Sequence, residues 1–340
     1  MKKTLALAVF ALAATAGVAQ ARDQIQIAGS STVLPFANVV AESFGQAFTG
    51  KFKAPIVESG GTGGGLKSFC EGVAESTIDI ANASRPISKT EFETCTKNGV
   101  KDIVQVKIGY DGIVFASIAS GPKFTLTTNQ LWKAIAAQVA VDGKIVDNPY
   151  KTWKEIDASL PDQAILTFIP AENHGTREVF VEKVLTGGCE KDPTVEALGK
   201  DEKKAVCTKV RKDGLAVDIA GDYTETLARV ESSKNAIGVF GLSFYEENKD
   251  KVQVATVNGV APSAETVASG KYPVSRPLFF YVKKAHLATI PGLKEYVAFF
   301  LSDQMVGEEG ALVEKGLIPM PQKELTEQRN AANAGTPLSL

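Results

Sequence analysis

Four short stretches of this chain gather the groups that hold a small anion. They are Ala28-Gly29-Ser30-Ser31-Thr32, the glycine-rich run from Ser59 to Ser68, Ala83-Ser84-Arg85-Pro86, and Asn173-His174-Gly175-Thr176-Arg177. An oxyanion taken out of water needs its hydration replaced by fixed donors and at least one cation. Serine and threonine hydroxyls, glycine-turn N–H groups and helix N-termini supply donors, and Arg85 and Arg177 supply charge with fork geometry. The glycine run is neither of two familiar nucleotide motifs. A phosphate loop needs Gly-Lys-Ser after four intervening residues, but Leu66 separates Gly65 from Lys67. No phase of the run fits the dinucleotide fingerprint either.

Catalysis has thinner support. The chain has two histidines, His174 and His286. A serine hydrolase or a secreted phosphatase would have to rely on His174, inside a donor-rich turn, while His286, beside Lys283 and Lys284, reads as solvated. No carboxylate pair has the spacing of an acid/base couple, and no C-x-x-C metal motif occurs. The residues therefore point to a binding protein, not an enzyme, without a cofactor or metal.

The elements that position these turns repeat one device. Ile25–Ala28, Pro55–Glu58 and Ile78–Asn82 read as strands, each followed by a donor-rich turn and a helix, with Ser88 or Thr90 capping the third helix. Ligands of open α/β sheets collect at the carboxyl ends of such strands. Val104–Ala116, interrupted by Gly109 and Gly112, reads as a crossing into a second lobe. There Ile165–Ile169 leads into the His174 turn and a helix through Phe180 and Val184. The charged stretch between Gly187 and Asp213 reads as a surface insertion, and Arg276–Val282 as the return crossing. Helices over Leu293–Leu301 and Gln304–Lys315 close the first lobe, with the chain frayed beyond Thr326. The expected division is a signal peptide, residues 1–21, lobe I, residues 22–110 and 274–340, and lobe II, residues 111–273.

The address comes from the first of these segments. Lys2 and Lys3, an apolar run from Leu5 to Val18 and Ala19-Gln20-Ala21 make a secretory signal with cleavage after Ala21, which places the mature protein in the periplasm. With 37 basic and 39 acidic residues, the chain lacks the positive excess of a nucleic-acid or anionic-membrane binder. Cys70, Cys95, Cys189 and Cys207 suit an oxidising compartment. Of three possible connectivities, the two local pairings Cys70–Cys95 and Cys189–Cys207 are favoured.

Taken together, the Ser31-Thr32 turn, the Ser59–Ser68 run, Asp79-Ile80-Ala81-Asn82-Ala83-Ser84-Arg85-Pro86, Tyr110-Asp111-Gly112 and Gly175-Thr176-Arg177 resemble the periplasmic phosphate-binding protein (PstS) family, in order and across nearly the whole mature chain. The resemblance implies a type II periplasmic binding fold, α/β, with two lobes of mixed sheet flanked by helices and joined by a two-strand hinge. It also implies a monomer that clamps inorganic phosphate and delivers it to the transmembrane subunits of an ABC importer. Ser31 and Thr32, Thr62 with its glycine neighbours, and Gly175 and Thr176 match the family's ligand turns. His174 stands where the family often has serine. Two departures affect selectivity. Ser84 followed by Arg85 replaces an aspartate that accepts the ligand's proton, and Pro170 replaces an arginine for which Arg177 would substitute. Asp111 is then the expected proton acceptor, with Glu58 or Glu172 behind it. The candidate ligand set is Ser31, Thr32, Ser59, Thr62, Ser84, Arg85, Asp111, His174, Gly175, Thr176 and Arg177. Another tetrahedral oxyanion, sulfate or molybdate, remains the alternative cargo.

Overall fold

The computed structural model describes residues 22–172, 176–220 and 222–340. The expected signal peptide, His174 and Gly175 lie outside the described residues. One mixed sheet of nine strands runs through the molecule. Its strands are β1 (Gln26–Gly29), β2 (Ile56–Ser59), β3 (Ile80–Ala83), β4 (Ile103–Ile118), β5 (Thr167–Pro170), β6 (Ala216–Ile219), β7 (Ile237–Gly241), β8 (Val252–Val254) and β9 (Ser275–Lys283). The order is β2-β1-β3-β9-β4-β7-β5-β6, with β8 also on β4. β1 pairs in parallel with β2 and β3, and β5 with β6 and β7, while β9 and β4 are antiparallel to their neighbours.

The sixteen-residue β4 joins the two halves. Residues from Ile103 to Gly112 pair with β9, whereas Ile113 to Ile118 pair with β7 and β8. Within the stretch paired with β9, Gly109 has φ +148°, and the register shifts there between Leu278 and Phe279. A side chain at Gly109 would also meet the Ile318 carbonyl, at 2.7 Å from the added Cβ. One continuous apolar core fills both halves, and a smaller cluster beneath Leu66, Phe69 and Tyr281 contains the Cys70–Cys95 bridge. Both expected disulfides form.

Helices follow the strands as the apolar spacing predicts. α1 (Leu34–Ala47) buries Phe36, Val40 and Phe44 on one face. α3 (Lys89–Lys97) starts at Ser88, whose hydroxyl accepts from the Glu91 N–H while Glu91 reaches back, a full capping box. In the second half, α4 (Thr128–Ile135) is capped by Thr127 and buries Trp132 and Ile135. α5 (Arg177–Phe180) continues through a π-helical turn, Val181–Thr186. α6 (Tyr223–Ser232) is capped by Asp222.

Five expectations are corrected. The glycine run is not a loop ahead of a helix: α2 spans Gly61–Phe69 and includes most of it. Its glycines serve packing, since a Cβ on Gly65 would lie 2.4 Å from the Gly29 Cα, so α2 can seat on β1 only without a side chain there. The stretch from Gly187 to Asp213 is more than a surface insertion, because Cys189, Val195 and Val206 are buried in the main core. The helix expected over Gln304–Lys315 shrinks to Asp303–Val306, ending where Gly307 adopts extended backbone. The chain beyond Thr326 is not frayed: a helix, α7 (Gln322–Ala334), buries Leu325 and Ala332, and its Glu324 accepts from Lys107 and Tyr110 on β4. His286 is not solvated but 1% exposed. Its Nδ1 lies 2.6 Å from buried Asp79 and its Nε2 3.0 Å from the Val73 carbonyl.

Candidate functional site

Three strand-to-helix turns of the first half converge at one point. After β1, the Ser30 hydroxyl accepts from the Thr32 and Val33 N–H groups, a local turn that leaves the Ser31 and Thr32 hydroxyls directed into the cleft. At the start of α2, the Thr62 hydroxyl accepts from the Ser84 N–H at 3.0 Å and lies 3.1 Å from the Ser84 hydroxyl. Ser31, Thr62 and Ser84 line a cleft of about 960 Å³ whose opposite wall carries Glu172, Arg177, Glu178 and Glu182. Beyond Thr32 and Asp111 lies a second cavity of about 270 Å³, walled by Phe36, Tyr223 and Phe244. The Thr176 hydroxyl, facing that cavity, is hydrogen bonded to the Tyr223 hydroxyl.

The floor is the β4–β9 pair, where Arg276 stands directly opposite Asp111. Arg276 is 4% exposed. It donates from Nη2 to the Thr32 hydroxyl at 2.8 Å and from Nη1 to Glu182 at 2.8 Å, and its Nε lies 3.5 Å from Asp111 Oδ2. Burial pushes the Asp111 carboxyl up, and the Arg276 guanidinium opposes that rise. The Glu178 carboxylate crosses from α5 to the hydroxyl wall. It accepts from Thr32 at 2.6 Å, Ser84 at 3.2 Å and Ser31 at 3.4 Å.

The expected ligand residues thus fall in different places. Ser31, Thr32, Thr62 and Ser84 come together, Asp111 lies at the floor, and Thr176, from the second half, lines the second cavity with Thr32 and Asp111. Arg85 and Arg177 line the cleft, but their guanidinium groups are engaged elsewhere. Arg85 grips both oxygens of Glu91, at 2.9 and 2.8 Å, and pulls that carboxyl down to about 2. Arg177 donates to the Pro170 carbonyl and to Asp218, each at 2.7 Å. Ser59 is exposed at the end of β2 and lines neither cavity. His174 and Gly175 fall among the undescribed residues.

Sequence reasoning missed Arg276, Glu178 and Glu182. One signal was available for Arg276: a single arginine heads the apolar run Leu278–Val282, and a buried guanidinium requires a partner. Glu178 and Glu182, one helical turn apart after the Gly175-Thr176-Arg177 turn, share a face that the local spacing displays but does not aim. Among the described residues, no group of three His, Cys, Asp or Glu side chains is placed to hold a metal ion. No helix of those residues is long and apolar enough to cross a membrane.

Residues 14–304 match the family model of the PBP superfamily domain. Protein SphX of Synechococcus elongatus is 32% identical over 304 residues, which cover 88% of this chain and 78% of SphX. The phosphate-binding protein PstS of Staphylococcus saprophyticus is 29% identical over 309 residues, covering 89% of this chain and 82% of that protein. Among solved structures, a possible phosphate binding protein from Planctomyces limnophilus superposes with a TM-score of 0.72 at 29% identity, over 92% of this chain and 98% of that one. A two-lobed fold, the order of the donor turns and the extent of these matches agree: the chain belongs to the PBP superfamily and, within it, to the PstS phosphate-binding protein family.

Proposed function

We propose that this protein captures inorganic phosphate between its lobes in the periplasm and hands it to the transmembrane subunits of an ABC importer. It acts as a monomeric binding protein, not as an enzyme. In this reading residues 1–21 direct export and are removed, and residues 22–110 with 274–340 close against residues 111–273. The observation that carries the reading is the convergence of the Ser31, Thr32, Thr62 and Ser84 hydroxyls beside a buried guanidinium, Arg276. A tetrahedral oxyanion offers several acceptor oxygens, and a dehydrated one needs this combination of fixed donors and one cation. Thr176, with His174 and Gly175, closes the set from the second lobe, while Arg85 and Arg177 line the cleft with their charge matched by Glu91 and Asp218.

Asp111 supplies the discrimination. Phosphate near neutral pH keeps a proton and sulfate does not, so a buried carboxylate accepts from the first and repels the second. The support for Asp111 is its burial at the floor, against Arg276, with Oδ2 free of a hydrogen bond. Thermal melts test the reading. Phosphate at a hundred times its dissociation constant raises the melting temperature of the ligand-stripped protein by about 5 °C, and equal sulfate does not. Equal shifts with both anions, or none with phosphate, would overturn it.

A further inference from the structure

The carboxylate of Glu178 rests on the donors assigned to the ligand. Oε2 accepts from Thr32 at 2.6 Å and Ser31 at 3.4 Å and lies 3.6 Å from Arg276 Nη2, and Oε1 accepts from Ser84 at 3.2 Å. Every one of these donors belongs to strands or turns of the first half or to the hinge, whereas Glu178 stands on α5 of the second half. A carboxylate has the planar oxygens and negative charge of one edge of a tetrahedral oxyanion. Yet its side chain is 38% exposed, so water could have solvated it instead.

We propose that Glu178 is a built-in surrogate for the oxyanion, which fills the donor cradle in the ligand-free protein, ties the two lobes together and must be displaced when the ligand enters. The inference rests on the reading of this cleft as the phosphate site. Charge makes displacement obligatory. Arg276 is already matched by Glu182 at 2.8 Å, and Asp111 lies 3.5 Å from its Nε, so a phosphate anion arriving beside Glu178 meets an unneutralised carboxylate on the same hydroxyls. Arg85 and Arg177 do not relieve it, because Glu91 and Asp218 hold them. With the ligand bound, Glu178 swings toward the open side of the cleft, and the hydroxyls turn their protons to the ligand oxygens. A latch of this kind lowers apparent affinity by the fraction of molecules in which the cradle is free.

Two measurements on Glu178→Ala test the proposal, with Glu178→Gln as the isosteric control. Calorimetric titration with phosphate should show about tenfold tighter binding by Glu178→Ala than by wild type, corresponding to a cradle free in about one molecule in ten. Glu178→Gln, which keeps an acceptor oxygen but loses the charge, should fall between them. Small-angle scattering of the ligand-free proteins should show a larger radius of gyration for Glu178→Ala than for wild type, reversed by phosphate. Equal or weaker phosphate binding by Glu178→Ala would overturn the proposal, because a carboxylate that contacts the bound ligand is missed when removed. A ligand-free radius unchanged from wild type would also overturn it. Failure of wild type to bind phosphate would instead refute the reading of the site, and the scattering comparison would still decide whether Glu178 ties the lobes.

Discussion

Arg276→Gln is the substitution with the largest expected effect on ligand capture. The guanidinium is 4% exposed and makes two 2.8 Å contacts, one to Thr32 in the donor wall and one to Glu182 across the cleft. Glutamine keeps a polar head but removes the floor's positive charge, so Asp111, Glu178 and Glu182 face an incoming anion uncompensated. A hydrogen bond to a charged group is worth ~1.5–3 kcal/mol. A unit charge at ~4–5 Å across a partly hydrated site is worth ~3–4 kcal/mol. These overlap, and about 3 kcal/mol is a conservative total, more than a hundredfold in dissociation constant. Arg276→Lys retains charge but reaches only one of the two partners, and a loss of about tenfold follows. Titration calorimetry gives the affinities, and circular dichroism melts establish that each variant is folded. A folded Arg276→Gln protein that binds phosphate within threefold of wild type would refute the assignment of Arg276 as the ligand's counter-charge.

Two further substitutions separate selectivity from stability. Asp111→Asn should bind phosphate more weakly and lose its preference over sulfate, read as competition in equilibrium dialysis, and unchanged sulfate rejection would remove Asp111 from that role. Lys283 is fully buried, and burial lowers its ammonium from 10.5 to about 8. Its folded value lies below its unfolded one, so between pH 8 and 10.5 the unfolded chain binds more protons and stability rises with pH; below pH 8 the penalty is complete. The difference corresponds to about 3 kcal/mol. Lys283→Met should therefore be the more stable protein at pH 7, with the gap closing toward pH 10 in urea titrations, and a gap independent of pH would contradict this account.

The strand, turn and helix units of the first half were legible because each is local. An apolar run, a cluster of hydroxyls and glycines, and a cap such as Ser88 lie within about twenty residues of one another. The disulfides were legible for the same reason, their partners being 25 and 18 residues apart. What escaped was set by pairing between distant segments. Arg276 becomes a site residue only because β9 returns to lie against β4 in the register that puts it opposite Asp111. His286 lies among lysines in the sequence, but β9 delivers it to Asp79 at the foot of β3, where each ring nitrogen lies against an oxygen, of Asp79 and of the Val73 carbonyl. The glycine run reads as loop because glycine is a poor helix former, whereas its contact with Gly29 rewards the missing side chain more than the lost propensity costs. Arg85 shows the converse, since Glu91, which completes the capping box of α3, also claims its guanidinium.

The measurement closest to the central claim is calorimetric titration of the mature, ligand-stripped protein with phosphate, repeated in excess sulfate. One-to-one phosphate binding whose affinity survives the sulfate is the predicted result, since the hydroxyl wall and Arg276 hold either oxyanion but Asp111 accepts a proton that only phosphate brings. Displacement of phosphate by sulfate, or the absence of any phosphate heat, would contradict the account.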